Sequence, residues 1–234
     1  MPEVSSSMTV YKFKLRDDLF FTDDGFFKGK SMDERKVRSK DVIYSFLRLA
    51  DARLHSPGSW LWRGKIKGID EFKAKTSPLA NDDMSAYENG CEGFTVIDDA
   101  NFAITLERPD PRFLYLLAMS YAGIVSYKAA LSGNDFSETP AGSGPYIISE
   151  WPRDYKMVFL KNKDYRREFF PNAKNPEDRQ ISLPFIDKIT CYLVRQPLSS
   201  WLMFLKGGLD IGGIDKDSID AVIDSGGKGI IPAL

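Results

Sequence analysis

Histidine and cysteine are almost missing from this chain. Its 234 residues include one histidine, His55, and two cysteines, Cys91 and Cys191. Without a C-x-x-C spacing, and with a single imidazole, no zinc ligand set exists, and no other metal site is expected. The same shortage leaves a Ser–His–Asp hydrolase without support, since His55 is the only candidate base and no G-x-S-x-G elbow is present. Nothing in the cysteine spacing demands a disulfide. One cysteine lies in a glycine-flanked loop and the other in a strand-like run, so they read as one loop thiol and one buried thiol.

An excess of one charge is also lacking. Lys+Arg number 32 and Asp+Glu 33, for a net charge of -1, so nothing steers the chain to nucleic acid or to an anionic membrane. No apolar run is long enough to span a bilayer. The opening "MPEVSSSMTVYKF" lacks the basic and apolar segments of a secretory signal. Taken alone that points to the cytoplasm, but a piece cut from a longer chain looks the same. What is present is ordinary for a folded protein: 43% hydrophobic and 28% charged residues, in a length sufficient for one large domain or two small ones.

Along the chain, "TVYKFKL" (9–15) alternates and predicts a strand, while "FFKGKSMDERKV" is charged and aperiodic, an exposed loop. Ser39 precedes a helical spacing through Val42, Phe46 and Leu49; it predicts a helix over 40–54 with Ser39 as N-cap and Asp41 in the first turn. A loop, a short strand and a second helix opening near Ile69 follow. "FTVIDD" and "FAITLER" predict two strands joined by a turn at Asp99-Ala100-Asn101. Pro111 starts a helix, "GIVS" is strand-like, and a short helix covers 128–131. Later, "FIDKITCYLV" reads as a strand, "PLSSWLMFLKGG" as a glycine-closed helix and "LDIGGI" as another strand. Ser218 starts a final helical piece that ends at the uncapped "SGGKGIIPAL". The irregular order of strands, helices and hairpins predicts a mixed α/β (α+β) fold with more than one sheet.

Residues 139–165, "TPAGSGPYIISEWPRDYKMVFLKNKDY", place a crowded turn before two alternating runs. A phosphate cradle would put a helix after its glycines. Here the turn at Gly142, Ser143, Gly144, Pro145 and Tyr146 feeds a strand and then a second strand over 156–161, so it is a hairpin corner. The acidic pairs Asp23/Asp24, Asp82/Asp83 and Asp98/Asp99 all fall in predicted turns, where such side chains bond nearby backbone, and no enzyme is indicated. Binding has better candidates. Trp60 and Trp62 follow Ser56-Pro57-Gly58, and an indole suits a partly wet pocket wall as well as it suits a core. Gly212 and Gly213 in "DIGGI" would let a backbone approach a ligand, or would simply make a loop.

The order of these pieces carries a resemblance. "YKFKLRDDLFFTDDG", "SKDVIYSFLRLAD", "FTVIDDANFAITLERPDPRFLYLLA", "GSGPYIISEW", "LKNKDY", "PFIDKITCYLV" and "FLKGGLDIGGI" together resemble extracellular solute-binding family 5. That family comprises the peptide-, nickel- and opine-binding receptors of bacterial ABC importers. It departs from the family's usual text in the longer "DDGFFKGKSMDERKVRSKD" and in lysine before the asparagine of "LKNKDY". The resemblance implies a fragment of a periplasmic-binding-protein-like fold with mixed sheets and flanking helices, since members run to about twice this length. It implies an accessory-domain-like region over 1–140 and part of the first ligand-binding lobe over 141–234, with the Gly142–Tyr146 corner as the crossing. The solute would be an oligopeptide, a dipeptide or another small molecule, and the partner an ABC permease of the inner membrane. No cofactor is implied, and the parent would be periplasmic. By position, the family's cleft residues fall on Trp60 or Trp62 and on Gly212, Gly213 and Ile214. The alternative from another class is a sensory or regulatory module that uses the same fold without transport.

Overall fold

Alternating aromatic and lysine residues become a strand here because each finds a partner across a ladder. The computed structural model describes residues 2–170 and 174–223. Four strands, β1 (Glu3–Val4), β2 (Val10–Lys14), β3 (Phe94–Val96) and β4 (Asn101–Thr105), form an antiparallel sheet in the order β1-β2-β4-β3. The register sets Tyr11 opposite Ile104 and Phe13 opposite Phe102, while Phe94 also faces Ile104. One sheet face is thereby apolar, with Phe13 stacked on Phe102 at 5.1 Å. The short β1 carries no strong alternation and was not foreseen. Between β3 and β4 the Asp98 carboxylate accepts the N–H groups of Ala100 and Asn101, both at 2.8 Å, which makes the predicted turn.

On that face lie α1 (Ser39–Ala50), α2 (Ile69–Thr76), α3 (Ser85–Asn89), α4 (Phe113–Leu117) and α5 (Tyr127–Leu131). Leu47, Trp62, Ile66, Phe72, Ile104 and Phe113 fill the space between helices and sheet, each essentially inaccessible. A smaller cluster of Phe21, Phe27, Val37 and Ala141 takes Phe27 and Val37 from the segment read as an exposed charged loop. That segment folds because Arg35 is drawn inward: its guanidinium donates to Phe21 C=O at 3.2 Å and to the Asp164 carboxylate at 2.8 Å.

Two helix expectations need correction. α1 begins at Ser39 itself, so Ser39 is inside the helix and its buried hydroxyl has no partner among the described residues. Asp41 does the capping instead, its carboxylate accepting the Arg38 N–H at 2.8 Å. The helix also stops at Ala50 rather than at 54. Asp51 turns its carboxylate back onto Arg53 N–H at 2.9 Å and starts a separate turn of 3-10 helix, Ala52–Leu54. Asp51 also holds the Arg53 guanidinium at 2.7 Å and accepts from the Tyr87 hydroxyl, in surroundings that leave it 2% exposed.

Strands β5 (Tyr146–Glu150), β6 (Lys156–Lys161) and β7 (Lys188–Tyr192) form a second sheet in that order, and β6 and β7 are antiparallel. α6 (Pro197–Leu205) starts on proline and closes on Gly207 at φ +71°, and α7 (Ile219–Val222) follows. The compact units are Met1–Ile147 with Lys161–Phe185, and Ile148–Leu160 with Ile186–Leu234. The chain passes from one to the other inside β5, at the end of β6 and after Phe185.

Three strand expectations also change. Residues 123–126 are extended but unladdered, the short strand near Ile66 is one bridge to Leu106, and residues 209–214 are irregular. In the first and last of these the alternation is present and a paired edge is not, while the pairing at Ile66 is too short to count as a strand. The uncapped ending at 225–234 lies outside the described residues.

Two predictions follow from the buried carboxylates. Ser39→Ala will cost less than about 0.5 kcal/mol in urea denaturation, whereas Asp41→Ala will cost about 2–4 kcal/mol by orphaning backbone donors. For Asp51, burial pushes the carboxyl up, but the hydrogen bonds from Arg53 and Tyr87 outweigh it and hold the group below the usual carboxylate range. A depressed folded-state pKa contributes stability above the unfolded value of about 3.9 and loses it as pH falls through the folded value. Asp51→Asn will therefore cost on the order of 3 kcal/mol near neutrality, and the gap from wild type will close as pH falls below about 4.

Candidate functional site

A sharp reversal after α1 decides which tryptophan meets solvent. The Ser56 hydroxyl accepts Gly58 N–H at 3.2 Å, and residues Ser59–Leu61 form one turn of 3-10 helix. Gly58 is required there by close approach, since a Cβ would lie 2.9 Å from the Tyr121 ring. The turn sends Leu61 and Trp62 inward and leaves Trp60 48% exposed. Trp62 is completely buried, its ring 5.1 Å from Phe46 and 6.3 Å from Phe113. Trp62 is thus a core residue and is withdrawn as a pocket-wall candidate, because no solute can reach it without opening the core.

Trp60 faces a depression of about 610 Å3 whose apolar floor is completed by Tyr115, Leu116 and Met119. Lys65, Asp110 and Arg112 edge it. α4 positions the floor: Phe113 is buried, and two residues later Tyr115 projects into solvent at 76% exposure. Nothing in sequence periodicity singled out Tyr115, because five residues are too few to show an amphipathic stripe. An apolar, partly aromatic floor with a charged rim suits a ligand that offers both apolar and polar groups.

In the other unit, the loop after α6 carries Gly212, Gly213 and Ile214. Gly212 packs so closely on Phe204 that a Cβ would fall 2.9 Å from that side chain, whereas Gly213 has open space around it. Ile211 and Ile214 are exposed, at 90% and 42%. Asp215, buried, then starts a 3-10 turn by accepting Asp217 N–H at 3.3 Å.

The corner is held by a residue that spacing alone did not mark. Asn162, 4% exposed, donates its side-chain amide to Gly144 C=O at 3.0 Å and its backbone N–H to Pro145 C=O at 2.8 Å. Gly142 C=O accepts Thr22 N–H at 2.8 Å. Neither Gly142 nor Gly144 has a left-handed backbone, and no neighbour crowds either position, so nothing in the structure requires glycine there.

The acidic residues of the predicted turns bond close at hand. Asp23, Asp24, Asp83 and Asp98 bond nearby N–H or hydroxyl groups, and Asp99 pairs with Arg38 at 3.1 Å. Both cysteines are free thiols; the loop one, Cys91, is half-buried and pushed up to about 11 by burial. Cys191, read as the buried thiol, is exposed, as are Lys188 and Tyr192 on the same strand. Among the described residues no three His, Cys, Asp or Glu could hold a metal ion, and no helix is long and apolar enough to cross a membrane.

Comparison with known proteins matches residues 2–233 to the family model for bacterial extracellular solute-binding proteins, family 5 Middle. The periplasmic oligopeptide-binding protein OppA of Salmonella typhimurium is 28% identical over 185 residues, which is 77% of this chain and 30% of that protein. Among solved structures, the Escherichia coli murein tripeptide binding protein MppA superposes with a TM-score of 0.70 at 20% identity, covering 97% of this chain and 39% of that one. Haemophilus influenzae OppA in complex with RPPGFSPFR gives a TM-score of 0.71 at 16% identity over 95% of this chain and 38% of that one. These likenesses show the fold. The chain spans about a third of the length of the relatives it matches, less than the half that the sequence suggested.

The two tryptophans differ sharply in what they support. Trp62→Ala will lose about 3–5 kcal/mol of folding stability in chemical denaturation. Trp60→Ala will lose less than about 1 kcal/mol, and equal losses at the two positions would contradict the burial contrast.

Proposed function

The chain belongs to family 5 of the bacterial extracellular solute-binding proteins, and on that premise we propose that its parent protein is the peptide-binding component of an ABC import system. The observation that carries the reading is the Trp60 depression, an apolar floor with a polar rim on a member of this family. An extended peptide offers that combination, with side chains for the floor and backbone groups for the rim. Residues 1–140 are assigned to the accessory side and 141–234 to part of the first ligand-binding lobe, with the Gly142–Tyr146 corner as the crossing of the chain. Gly213 and Ile214 are the second unit's contribution to solute contact, supported by the open space at Gly213 and the exposure of Ile214.

In the parent, two lobes would close on the solute and present the closed form to an inner-membrane permease. The parent is placed in the periplasm, and binding uses neither metal nor organic cofactor. The chain reads as a binder and not a catalyst, in keeping with a family of solute-binding proteins.

Calorimetry of the full-length parent against peptide pools, with recovered ligand identified by mass spectrometry, tests the proposal. Trp60→Ala or Gly213→Val will weaken peptide binding at least about tenfold, or 1.4 kcal/mol, with the thermal midpoint unchanged. A parent that ignores peptides but binds another solute class would overturn the substrate assignment. Peptide binding insensitive to both changes would overturn the site.

A further inference from the structure

Next to the Trp60 floor lies a second, polar depression of about 420 Å3, with Arg63, Gly64 and Lys65 on one side and residues 108–112 on the other. Backbone pairing builds it. Ile66 bridges Leu106 in antiparallel fashion, Glu107 N–H donates to Lys65 C=O at 2.8 Å, and Lys67 N–H donates to Thr105 C=O at 3.0 Å. The two segments therefore run side by side. Gly64 turns at φ +62° and donates its N–H to the Asp70 carboxylate at 3.1 Å. The facing segment reads Arg-Pro-Asp-Pro-Arg, residues 108–112. Each proline ring fixes φ, so the loop holds its arginines on a stiff frame with little backbone freedom left to lose on binding.

Four cationic side chains and one carboxylate line this depression. The carboxylate is already engaged. Asp110, 16% exposed, accepts Arg112 N–H at 2.9 Å and lies 3.6 Å from the Arg112 guanidinium. Among the described residues no ion pair involves Arg63, Lys65 or Arg108. On a chain whose net charge is -1, this is a local positive surplus in a concave, preorganised setting. It shares Lys65, Asp110 and Arg112 with the aromatic floor, so the two depressions adjoin along these side chains.

The geometry points to a carboxylate subsite: Arg63, Lys65 and Arg108 take a carboxylate of the solute while a neighbouring apolar or aromatic side chain lies on Trp60 and Tyr115. Guanidinium groups suit the task because they present parallel N–H donors to both carboxylate oxygens. This rests on the reading of the Trp60 depression as a peptide site and adds its preference for acidic ligands. The carboxylate could be a peptide C-terminus or an Asp or Glu side chain, and the probes below separate these sources.

The test is a backbone amide NMR titration of the 15N-labelled 234-residue chain with three probes. They are acetyl-Phe-Gly with a free C-terminus, acetyl-Phe-Glu-amide and acetyl-Phe-Gln-amide. At low salt at least one acid will shift the amides of residues 63–65 and 108–112 and bind roughly threefold to tenfold more tightly than the glutamine amide. The tighter acid identifies the source of the carboxylate, and added salt will narrow the gap. The double change Arg63→Gln, Arg108→Gln, at two exposed positions, will abolish the acid preference while keeping the thermal midpoint and the weak glutamine-amide response at Trp60 and Tyr115. Equal binding of all three probes would overturn the subsite and leave the peptide reading standing. No response at Trp60 or Tyr115 to any probe would overturn both. Co-sedimentation with phosphatidylglycerol vesicles that depends on Arg63 and Arg108, without acid preference among the peptides, would assign the patch to a lipid surface and overturn the proposal.

Discussion

Much of the first unit hangs on two polar side chains one turn apart on α1. The Asp41 carboxylate accepts the N–H of Arg38 and of Tyr127, each at 2.8 Å. Ser45 accepts Val125 N–H at 2.9 Å, and its hydroxyl lies 2.6 Å from Asp41 C=O. Both are buried. The backbone donors of Val125 and Tyr127 are thus answered by side chains of α1 and not by a neighbouring strand, which holds the extended segment between them against the helix unladdered. Burial raises the Asp41 pKa, since a carboxylate leaves water reluctantly, and the two backbone hydrogen bonds oppose that rise. Removing this carboxylate would orphan the start of α1 and the start of α5 together.

With α1 fixed, the aromatic core dictates how the surface is displayed. Phe46 on α1 packs on Trp62, which packs on Phe113, and Phe113 packs on Tyr11 of the sheet at 5.0 Å. Anchoring Trp62 and Phe113 leaves Trp60 and Tyr115, each two residues away, facing solvent. In an irregular turn or a single helical turn, a two-residue step reverses the direction of the side chain. The exposed aromatics of the candidate site are therefore a consequence of the buried ones, which is why the site can be rigid although it sits on short elements. The proline-framed arginine loop extends the same logic, because Phe113 pins the residue immediately after it.

The corner at 142–146 shows the division between local and long-range control. Its glycines looked like the reason for the turn, but their backbones are ordinary. What holds them is Asn162, 18 residues on from Gly144, aided by Thr22 from the other side. A side-chain amide can accept and donate at once, so one asparagine secures both the corner and, through Asp164 N–H at 3.0 Å, the turn that follows β6.

The linear order of residues is enough for the elements whose signal is local: the alternation of β2, the hairpin strands β5 and β6, the turn at Asp98–Asn101, the proline start and glycine end of α6. It also determined family membership, because seven weak motifs in one order constrain far more than any one of them. Tertiary structure decided everything that depends on a partner distant in the chain. A strand exists only as half of a pair, so 209–214 alternates without becoming one. A cap is the group whose oxygen reaches the free N–H, so Asp41 displaced Ser39. Whether Trp60 or Trp62 meets solvent depends on Phe46 and Phe113, and the cationic pocket forms only where residues 63–67 are drawn against 105–108. Those choices are made by packing and long-range hydrogen bonds, whose partners a linear reading cannot place.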